Sequence, residues 1–144
     1  MSQKDSNILD LLKGNLVKGD KDFELTDEEC IGFYFSAMWC PPCRGFTPKL
    51  VSFYNKVKCQ GEKFEIIFMS GDFDEETFHE YYAEMPWAAL KFDLSSIKDT
   101  ISEKFNIIGI PNLVIVDKAG NLITTNGRGA VLKQFGETVS LTWT

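Results

Sequence analysis

The sequence has little of what a disulfide-stapled, nucleic-acid-binding or membrane-spanning protein needs. Four cysteines in 144 residues are too few for the disulfide framework of a small secreted domain. The net charge of −6 argues against a nucleic-acid partner, because phosphates bind to cationic faces. No run approaches the roughly 20 apolar residues of a membrane-spanning helix. We therefore expect neither nucleic acid nor a membrane among the partners.

Metal ligands and targeting signals are also scarce. A tetrahedral zinc site needs four ligands, usually in two close pairs, whereas the chain offers one close cysteine pair and a single histidine, His79. We therefore expect no bound metal. The first six residues are polar and lack the apolar core of a secretory signal, which favours a cytoplasmic protein. The length and the 44% hydrophobic content suit one domain covering residues 1–144.

The pattern of apolar residues predicts an α/β fold. A nearly continuous apolar run at residues 30–37 predicts a buried strand. Apolar residues three and four apart predict a helix over Pro41–Cys59, and Phe64–Ser70 predicts the next strand. A strand, a helix and a strand of these lengths predict two parallel strands joined by a right-handed crossover.

Shorter patterns complete a mixed β-sheet flanked by helices on both faces. Further helices are predicted over residues 7–13, 74–84, 96–105 and 130–135. A short strand is predicted over residues 23–25, and an antiparallel hairpin over residues 110–117 and 122–125.

Cys40 and Cys43 lie at the junction of the first predicted strand and the long helix. The unpaired N–H groups and the macrodipole of the helix N-terminus favour a thiolate at Cys40, and a thiolate is the attacking species in disulfide exchange. Cys43, one turn further along, is expected to be more buried and to resolve the mixed disulfide. Pro41 and Pro42 suit the first helical turn and make the loop rigid. The pair predicts a redox-active Cys40–Cys43 disulfide and no bound cofactor.

The dipeptide Ile110-Pro111 has two readings that the residues alone leave close to even. One is an ordinary trans proline at the start of a strand, since only about 5–6% of X–Pro bonds are cis. The other is a cis-proline loop that packs against the dithiol, presents backbone groups to an extended substrate and keeps metal away from the thiols.

Three blocks of sequence resemble the tryparedoxin and nucleoredoxin branch of the thioredoxin superfamily. They are FYFSA followed by WCPPCRGFTP, then MPWAAL, then GIPNL. The resemblance covers about residues 20 to 130. It implies a thioredoxin fold, an exposed nucleophile at Cys40, a resolving thiol at Cys43 and a cis bond before Pro111. It also implies that Trp39 shields the disulfide and helps substrates to dock.

The resemblance assigns three more residues to the site. Tyr34 matches the tyrosine that replaces the buried aspartate of ordinary thioredoxins, so proton transfer at Cys43 needs another group or water. Asp72 matches an acidic residue near the active-site surface, although it also fits a plain cap at the end of a strand. Arg128 matches a basic residue linked to binding of the glutathione-type donor.

The activity that the resemblance implies is reduction of protein disulfides, such as those of peroxiredoxins, by a monomer. The electron donor is a low-molecular-weight dithiol of the trypanothione or glutathione type, or a reductase. Gly71 stands where tryparedoxins typically carry tryptophan, which leaves trypanothione in question. The alternative is a redox-sensitive, nucleoredoxin-like binding module that regulates a partner with little turnover.

Overall fold

The computed structural model describes residues 8–134. Two of the predicted helices extend past this range, so Asn7 of the first and Phe135 of the last lie outside the described residues. A 3-10 helix, Ile8–Leu12, opens the described part. The strands that follow are β1 (Leu16–Lys18), β2 (Lys21–Phe23), β3 (Cys30–Ser36), β4 (Phe64–Ser70), β5 (Ala88–Leu90), β6 (Asn112–Asp117) and β7 (Leu122–Thr124). The α-helices are α1 (Pro41–Cys59), α2 (Glu75–Tyr82), α3 (Ser95–Lys104) and α4 (Gly127–Gln134).

The strands form one mixed sheet in the order β2-β1-β5-β4-β3-β6-β7. β3 and β4 are parallel, β4 and β5 are parallel, and β6 runs antiparallel to both β3 and β7. The predicted pair of parallel strands and the hairpin after it are therefore confirmed. The carboxyl end of β3 leads into α1, and β6 begins beside it because the two strands run in opposite directions.

Helix α1 begins at Pro41 and ends at Cys59, as predicted. Proline is tolerated in the first turn because its missing N–H would have no helical partner there. Gly61 follows with a φ of 80°, in the left-handed region where glycine is favoured because it has no Cβ.

The prediction of a short strand near the N-terminus is wrong in position. The sequence predicts a strand at residues 23–25, whereas β2 is Lys21–Phe23 and pairs with β1, Leu16–Lys18. The sequence analysis also misses β1 and β5. Each of these strands has three residues, too few for an alternating apolar pattern to stand out. They are strands because of their pairing: β5 pairs with the long strand β4, and β1 pairs with β5 and β2.

Helix α4 starts at Gly127, three residues earlier than predicted. The Asn126 side chain accepts a hydrogen bond from the Gly129 N–H at 3.2 Å, which is the bond of an N-cap. A Cβ at Gly127 would lie 2.9 Å from the carbonyl oxygen of Leu113 on β6. Helix α4 therefore packs directly against the backbone of the sheet.

Apolar side chains cover both faces of the sheet. One layer lies between the sheet and helices α1, α2 and α4, and the other lies between the sheet and the 3-10 helix with α3. Tyr34 points into the first layer and its neighbours on β3, Phe33 and Phe35, into the second, as strand alternation requires. Helices flank both faces, as predicted. No helix within residues 8–134 is long and apolar enough to cross a membrane.

Candidate active site

Cys40 is the N-cap of α1, with extended backbone angles of φ −103° and ψ 107°. Its sulfur is at the end of the helix where backbone N–H groups lack helical partners. Both Cys40 and Cys43 are free thiols. Cys43 is fully buried, and Cys40 has 5% of its surface exposed. Cys43 is therefore the more buried thiol, as predicted.

The expectation of an exposed Cys40 is wrong, because side chains of neighbouring segments cover it. Cys40 packs with Ala37, Cys43 and Ile110. A substrate disulfide therefore has to approach through the small part of the Cys40 surface that remains open.

The cis-proline segment forms one wall of the site. The Ile110–Pro111 peptide bond is cis, the isomer that the resemblance implies, so the trans reading is excluded. The Cys40 thiol donates a hydrogen bond to the Ile110 carbonyl oxygen, with a sulfur–oxygen distance of 3.9 Å. This contact follows from the topology, because the segment before β6 arrives next to the carboxyl end of β3.

Trp39 forms an aromatic platform beside the dithiol. Its indole is 51% exposed, and its Nε1–H donates to the Gly71 carbonyl at 2.9 Å. The ring stacks on Phe73 with centroids 5.6 Å apart and planes 12° from parallel. Phe73 is 84% exposed, and the sequence analysis missed it. Its only signal was an aromatic residue directly after Asp72.

Asp72 fixes the segment that precedes the dithiol. Its carboxylate is buried and accepts hydrogen bonds from the Met38 N–H at 2.7 Å and the Ser70 hydroxyl at 2.9 Å. Of the two roles considered from sequence, this geometry favours a cap. The cap joins the end of β4 to the residue before Trp39.

Cys43 is held in its protonated form by its surroundings. Burial and, after it, a hydrogen bond with Cys40 raise the pKa of its thiol to about 11. Hydrogen bonds from the Ser36 hydroxyl and the Ala37 backbone act against this rise because they favour the thiolate. At neutral pH nearly every Cys43 side chain is therefore a thiol.

Tyr34 lies fully buried beneath the dithiol, in a network of hydroxyl groups. Its hydroxyl is 2.7 Å from that of Thr47, which is 2.6 Å from that of Tyr81. The Tyr81 hydroxyl is in turn 2.7 Å from Ser36. Burial raises the pKa of both tyrosines. The sequence analysis assigned no role to Ser36, Thr47 and Tyr81, although their hydroxyls occupy otherwise apolar core positions.

A groove of about 410 Å³ runs beside Trp39. The walls include Gly71, Lys98, Ile108 and Ile110. Ile108 is 92% exposed, so the groove has an apolar rim next to the cis-proline segment. Because residue 71 has no side chain, the groove stays open between Trp39 and Ile110.

Arg128 lies in the first turn of α4, against the helix that carries the dithiol. Its guanidinium carbon is 5.8 Å from the centre of the Phe46 ring, which is one turn beyond Cys43 on α1. The arginine is exposed and flanks the site from this side.

Two other features lie apart from the dithiol. A cavity of about 500 Å³ is lined by residues of the 3-10 helix, the loop after β2 and β3, among them Leu12, Leu25 and Ile31, and it includes no residue of the site. Within the described part of the chain, no group of three or more histidine, cysteine or acidic side chains is placed to hold a metal ion.

The sequence of this chain is similar to those of known proteins. A family model described as thioredoxin-like matches residues 27–122. The tryparedoxin of Trypanosoma brucei brucei is 44% identical over 101 residues, which are 69% of this chain and 69% of that protein. The probable nucleoredoxin 1 of Arabidopsis thaliana is 50% identical over 106 residues, 74% of this chain but 18% of that protein. The chain spans less than a third of the nucleoredoxins it matches, reaching 30% in that of Danio rerio.

Solved structures give the same result. The native tryparedoxin I of Crithidia fasciculata superposes with a TM-score of 0.81 at 37% identity, over 93% of this chain and all of that one. A tryparedoxin II in complex with glutathionylspermidine superposes with a TM-score of 0.78 at 41% identity, over 83% of this chain and 85% of that one.

Proposed function

Because this chain belongs to the thioredoxin-like family, in the branch of the tryparedoxins and nucleoredoxins, we propose that it reduces protein disulfides through Cys40 and Cys43. Its relatives of this fold are thiol–disulfide oxidoreductases. The observation that carries the proposal is the position of the dithiol. Cys40 caps α1 beside the cis-proline segment, and Cys43 is buried behind it.

The reaction transfers two electrons to the substrate in two exchanges. The Cys40 thiolate attacks one sulfur of the substrate disulfide, whose S–S bond breaks, and the other sulfur leaves as a thiolate that takes up a proton. Cys43 then attacks the Cys40 sulfur, loses its own proton and releases the second substrate sulfur. The products are a reduced substrate and a Cys40–Cys43 disulfide, which an external dithiol or reductase reduces again.

Protein disulfides, with those of peroxiredoxins first, are the substrates we propose. The exposed aromatic pair Trp39 and Phe73 suits a protein surface, and the cis-proline segment suits an extended chain. For the donor, we propose a low-molecular-weight dithiol of the trypanothione or glutathione type, or a reductase. Support comes from the related tryparedoxin II that holds glutathionylspermidine. A monomer in the cytoplasm fits this role, because that compartment supplies reductant.

Serine replacements separate the roles of the two thiols. Cys40→Ser should abolish reduction of oxidised insulin because the attacking sulfur is gone. Cys43→Ser should instead accumulate a stable mixed disulfide with the substrate, visible as a mass increase on a non-reducing gel. Cys59→Ser, which changes an exposed cysteine at the far end of α1, should leave turnover unchanged. Retained turnover in Cys40→Ser would show that the proposal is wrong.

A second measurement identifies the donor. Tryptophan fluorescence of the oxidised protein is followed while trypanothione, or NADPH with thioredoxin reductase, is added. Fast reduction by trypanothione and its loss in Arg128→Gln would support a donor site at α4. Reduction by the reductase alone would indicate that this chain uses a different electron donor from the tryparedoxins, and that the groove left open at Gly71 contributes to that difference. A partner that binds only the reduced form, together with negligible turnover, would favour the binding-module alternative.

A further inference from the structure

The resolving step requires a thiolate at a place where a thiolate is unfavourable. Cys43 has no exposed surface, and burial raises its pKa to about 11, so that only about one thiol in ten thousand is ionised at neutral pH. The partners of its sulfur are the Ser36 hydroxyl, the Ala37 backbone and Cys40. No carboxylate is among them, although Cys43 has to ionise in every catalytic cycle.

The network of hydroxyls begins at the Cys43 sulfur and returns to the same residue. The Ser36 hydroxyl acts to lower the pKa of the Cys43 thiol through a hydrogen bond. Ser36 also bonds to Tyr81, Tyr81 to Thr47, and Thr47 to Tyr34. Thr47 also donates to the Cys43 carbonyl at 3.0 Å, and the Tyr34 hydroxyl lies 3.5 Å from the same oxygen. All four hydroxyl-bearing side chains are buried. They come from β3, α1 and α2, so tertiary packing alone brings them together.

Two arrangements of the hydroxyl hydrogens preserve the three hydroxyl–hydroxyl contacts, because either oxygen can donate in each of them. In one arrangement the Cys43 thiol donates to Ser36, and the hydrogens of Ser36, Tyr81 and Thr47 point along the chain toward the Cys43 carbonyl. In the other, every hydrogen is reversed, from Tyr34 through to Ser36, which then donates to the sulfur. Only the second arrangement stabilises a thiolate, and the chained dipoles strengthen one another in a buried site.

We propose that the hydroxyls of Ser36, Tyr81, Thr47 and Tyr34 act as a reversible chain of donors that turns toward the Cys43 sulfur when this thiol ionises, and thereby accelerates the resolving step. The four are positioning residues, since they act through Cys43. The inference rests on the proposed disulfide exchange and deepens it. The chain starts and ends at Cys43, so it exports no proton. The proton that Cys43 loses is taken up by the departing substrate thiolate while the Cys40–Cys43 bond forms and the mixed disulfide breaks.

The titratable groups that act on Cys43 are Cys40 and Tyr81. The other buried tyrosines of this layer bond elsewhere. Tyr54 donates to Glu65 at 2.8 Å, and Tyr82 donates to the Trp87 carbonyl. Tyr82 follows Tyr81 on α2 and is also buried. Tyr82→Phe is therefore a matched control that removes a buried hydroxyl outside the chain.

The two steps can be timed in one reaction with 5,5′-dithiobis(2-nitrobenzoate) as the probe. The reduced protein, in a Cys59→Ser background, is mixed with less than one equivalent of the probe. Attack by Cys40 releases the first thionitrobenzoate and resolution by Cys43 releases the second, so absorbance at 412 nm rises in two phases. Both rates are measured from pH 6 to pH 10.

Ser36→Ala should slow the second phase by about tenfold at pH 7, because a hydrogen bond to a charged group is lost. In Ser36→Ala and in the parent alike, the second phase should still be rising at pH 10, because the pKa of the Cys43 thiol, about 11, lies above the measured range. Tyr81→Phe and Thr47→Val should slow the second phase by about threefold. In Thr47→Ser and Tyr82→Phe, the rate of the second phase should stay close to that of the parent. The first phase should change by less than about twofold throughout.

An unchanged second phase in both Ser36→Ala and Tyr81→Phe would overturn the inference. So would an equal slowing of both phases, since that would assign the hydroxyls a structural role. Reduction of oxidised insulin, measured on the same samples, tests the proposed function by itself. If the parent fails to reduce insulin while its second phase responds as described, the proposed function fails and the hydroxyl chain stands.

Discussion

At the scale of single residues, the site joins two thiols of opposite character. Cys40 keeps a small open surface beside the Ile110 carbonyl, whereas Cys43 is sealed against water. Burial that protects Cys43 from stray oxidants also disfavours its thiolate. In the proposed reaction, Cys43 therefore reacts only once Cys40 carries a mixed disulfide within its reach.

The raised pKa of Cys43 should make stability depend on alkaline pH. The folded protein keeps this proton up to about pH 11, whereas an unfolded thiol with its ordinary value of 9.0 has already released it. The stabilising contribution is therefore complete below pH 9 and is lost as pH rises toward 11. We expect the free energy of unfolding to fall by on the order of 2 kcal/mol across this window. The free energies of unfolding of the reduced protein and of Cys43→Ala, measured with urea at each pH, should approach one another across this window. If the two free energies stayed the same distance apart from pH 9 to pH 11, the raised pKa of Cys43 would be contradicted.

Asp72 should matter through the hydrogen bond to the Met38 backbone. Asp72→Ala leaves this N–H without its acceptor, which should cost about 1–3 kcal/mol and slow the attack by Cys40, because the segment before it is less fixed. Asp72→Asn keeps an acceptor oxygen and should lose less. Urea midpoints and the first phase of the thionitrobenzoate reaction report both effects. An Asp72→Ala protein as stable as the parent would refute the anchoring role.

At the scale of elements, the site is the meeting point of three chain segments. The end of β3 leads into α1, β4 ends beside it and supplies Asp72, and the start of β6 brings in the cis-proline segment. The order of strands β4, β3 and β6 in the sheet fixes this meeting. Helix α4 closes the site on the far side, where its contact with β6 carries Arg128 into place.

Two glycines test how these elements pack. A Cβ at Gly127 would meet the Leu113 backbone at 2.9 Å, so Gly127→Ala should destabilise by about 1–3 kcal/mol through overpacking and shift Arg128. Gly45 lies on the exposed side of α1, where an added Cβ would meet no atom of another segment within 4 Å. Gly45→Ala should therefore stabilise by about 0.5–1 kcal/mol, because alanine loses less entropy in a helix.

Thermal and urea unfolding of the two variants give the comparison. Equal effects of the two substitutions would mean that α4 yields to the extra methyl group, and that its close approach to β6 is unimportant for stability.

At the scale of the whole molecule, the two most exposed large apolar side chains of residues 8–134, Phe73 and Ile108, lie at the dithiol end beside Trp39. Trp39, Phe73 and Ile108 are 51%, 84% and 92% exposed and surround the opening to Cys40. The chain carries a net charge of −6, so this apolar surface stands out against an acidic protein. Such a patch is typical of a surface that binds other proteins.

Removing this patch should weaken the binding of protein substrates but not the reaction with a small disulfide. Phe73→Ser and Ile108→Ser should each raise KM for oxidised insulin about fivefold or more, the effect of losing about 1 kcal/mol of interface contact. The reaction with the small thionitrobenzoate probe should be unchanged. Leu122→Ser is the control, since Leu122 is also 51% exposed but opens β7 at the other end of β6. An equal rise in KM for the control would remove the case for a docking patch.

The sequence alone determined the parts whose signal is local. The apolar runs of β3 and β4, the helical spacing of α1 and the cysteine pair at their junction predicted the parallel pair of strands and placed Cys40 at a helix N-terminus. These predictions agree with the structure because long strands and helices carry their burial pattern in consecutive residues. The family resemblance supplied the cis bond at Pro111, which the residues alone left undecided.

Only the tertiary structure decided what depends on residues far apart in the chain. Strands β1 and β5 are too short to show a pattern and exist because their neighbours pair with them. Cys40 is covered because a segment 70 residues away packs against it. The hydroxyls of Ser36 and Tyr81, 45 residues apart, meet in the core. Contacts of this kind depend on how the sheet orders its strands and how helices pack on it, which no single segment encodes.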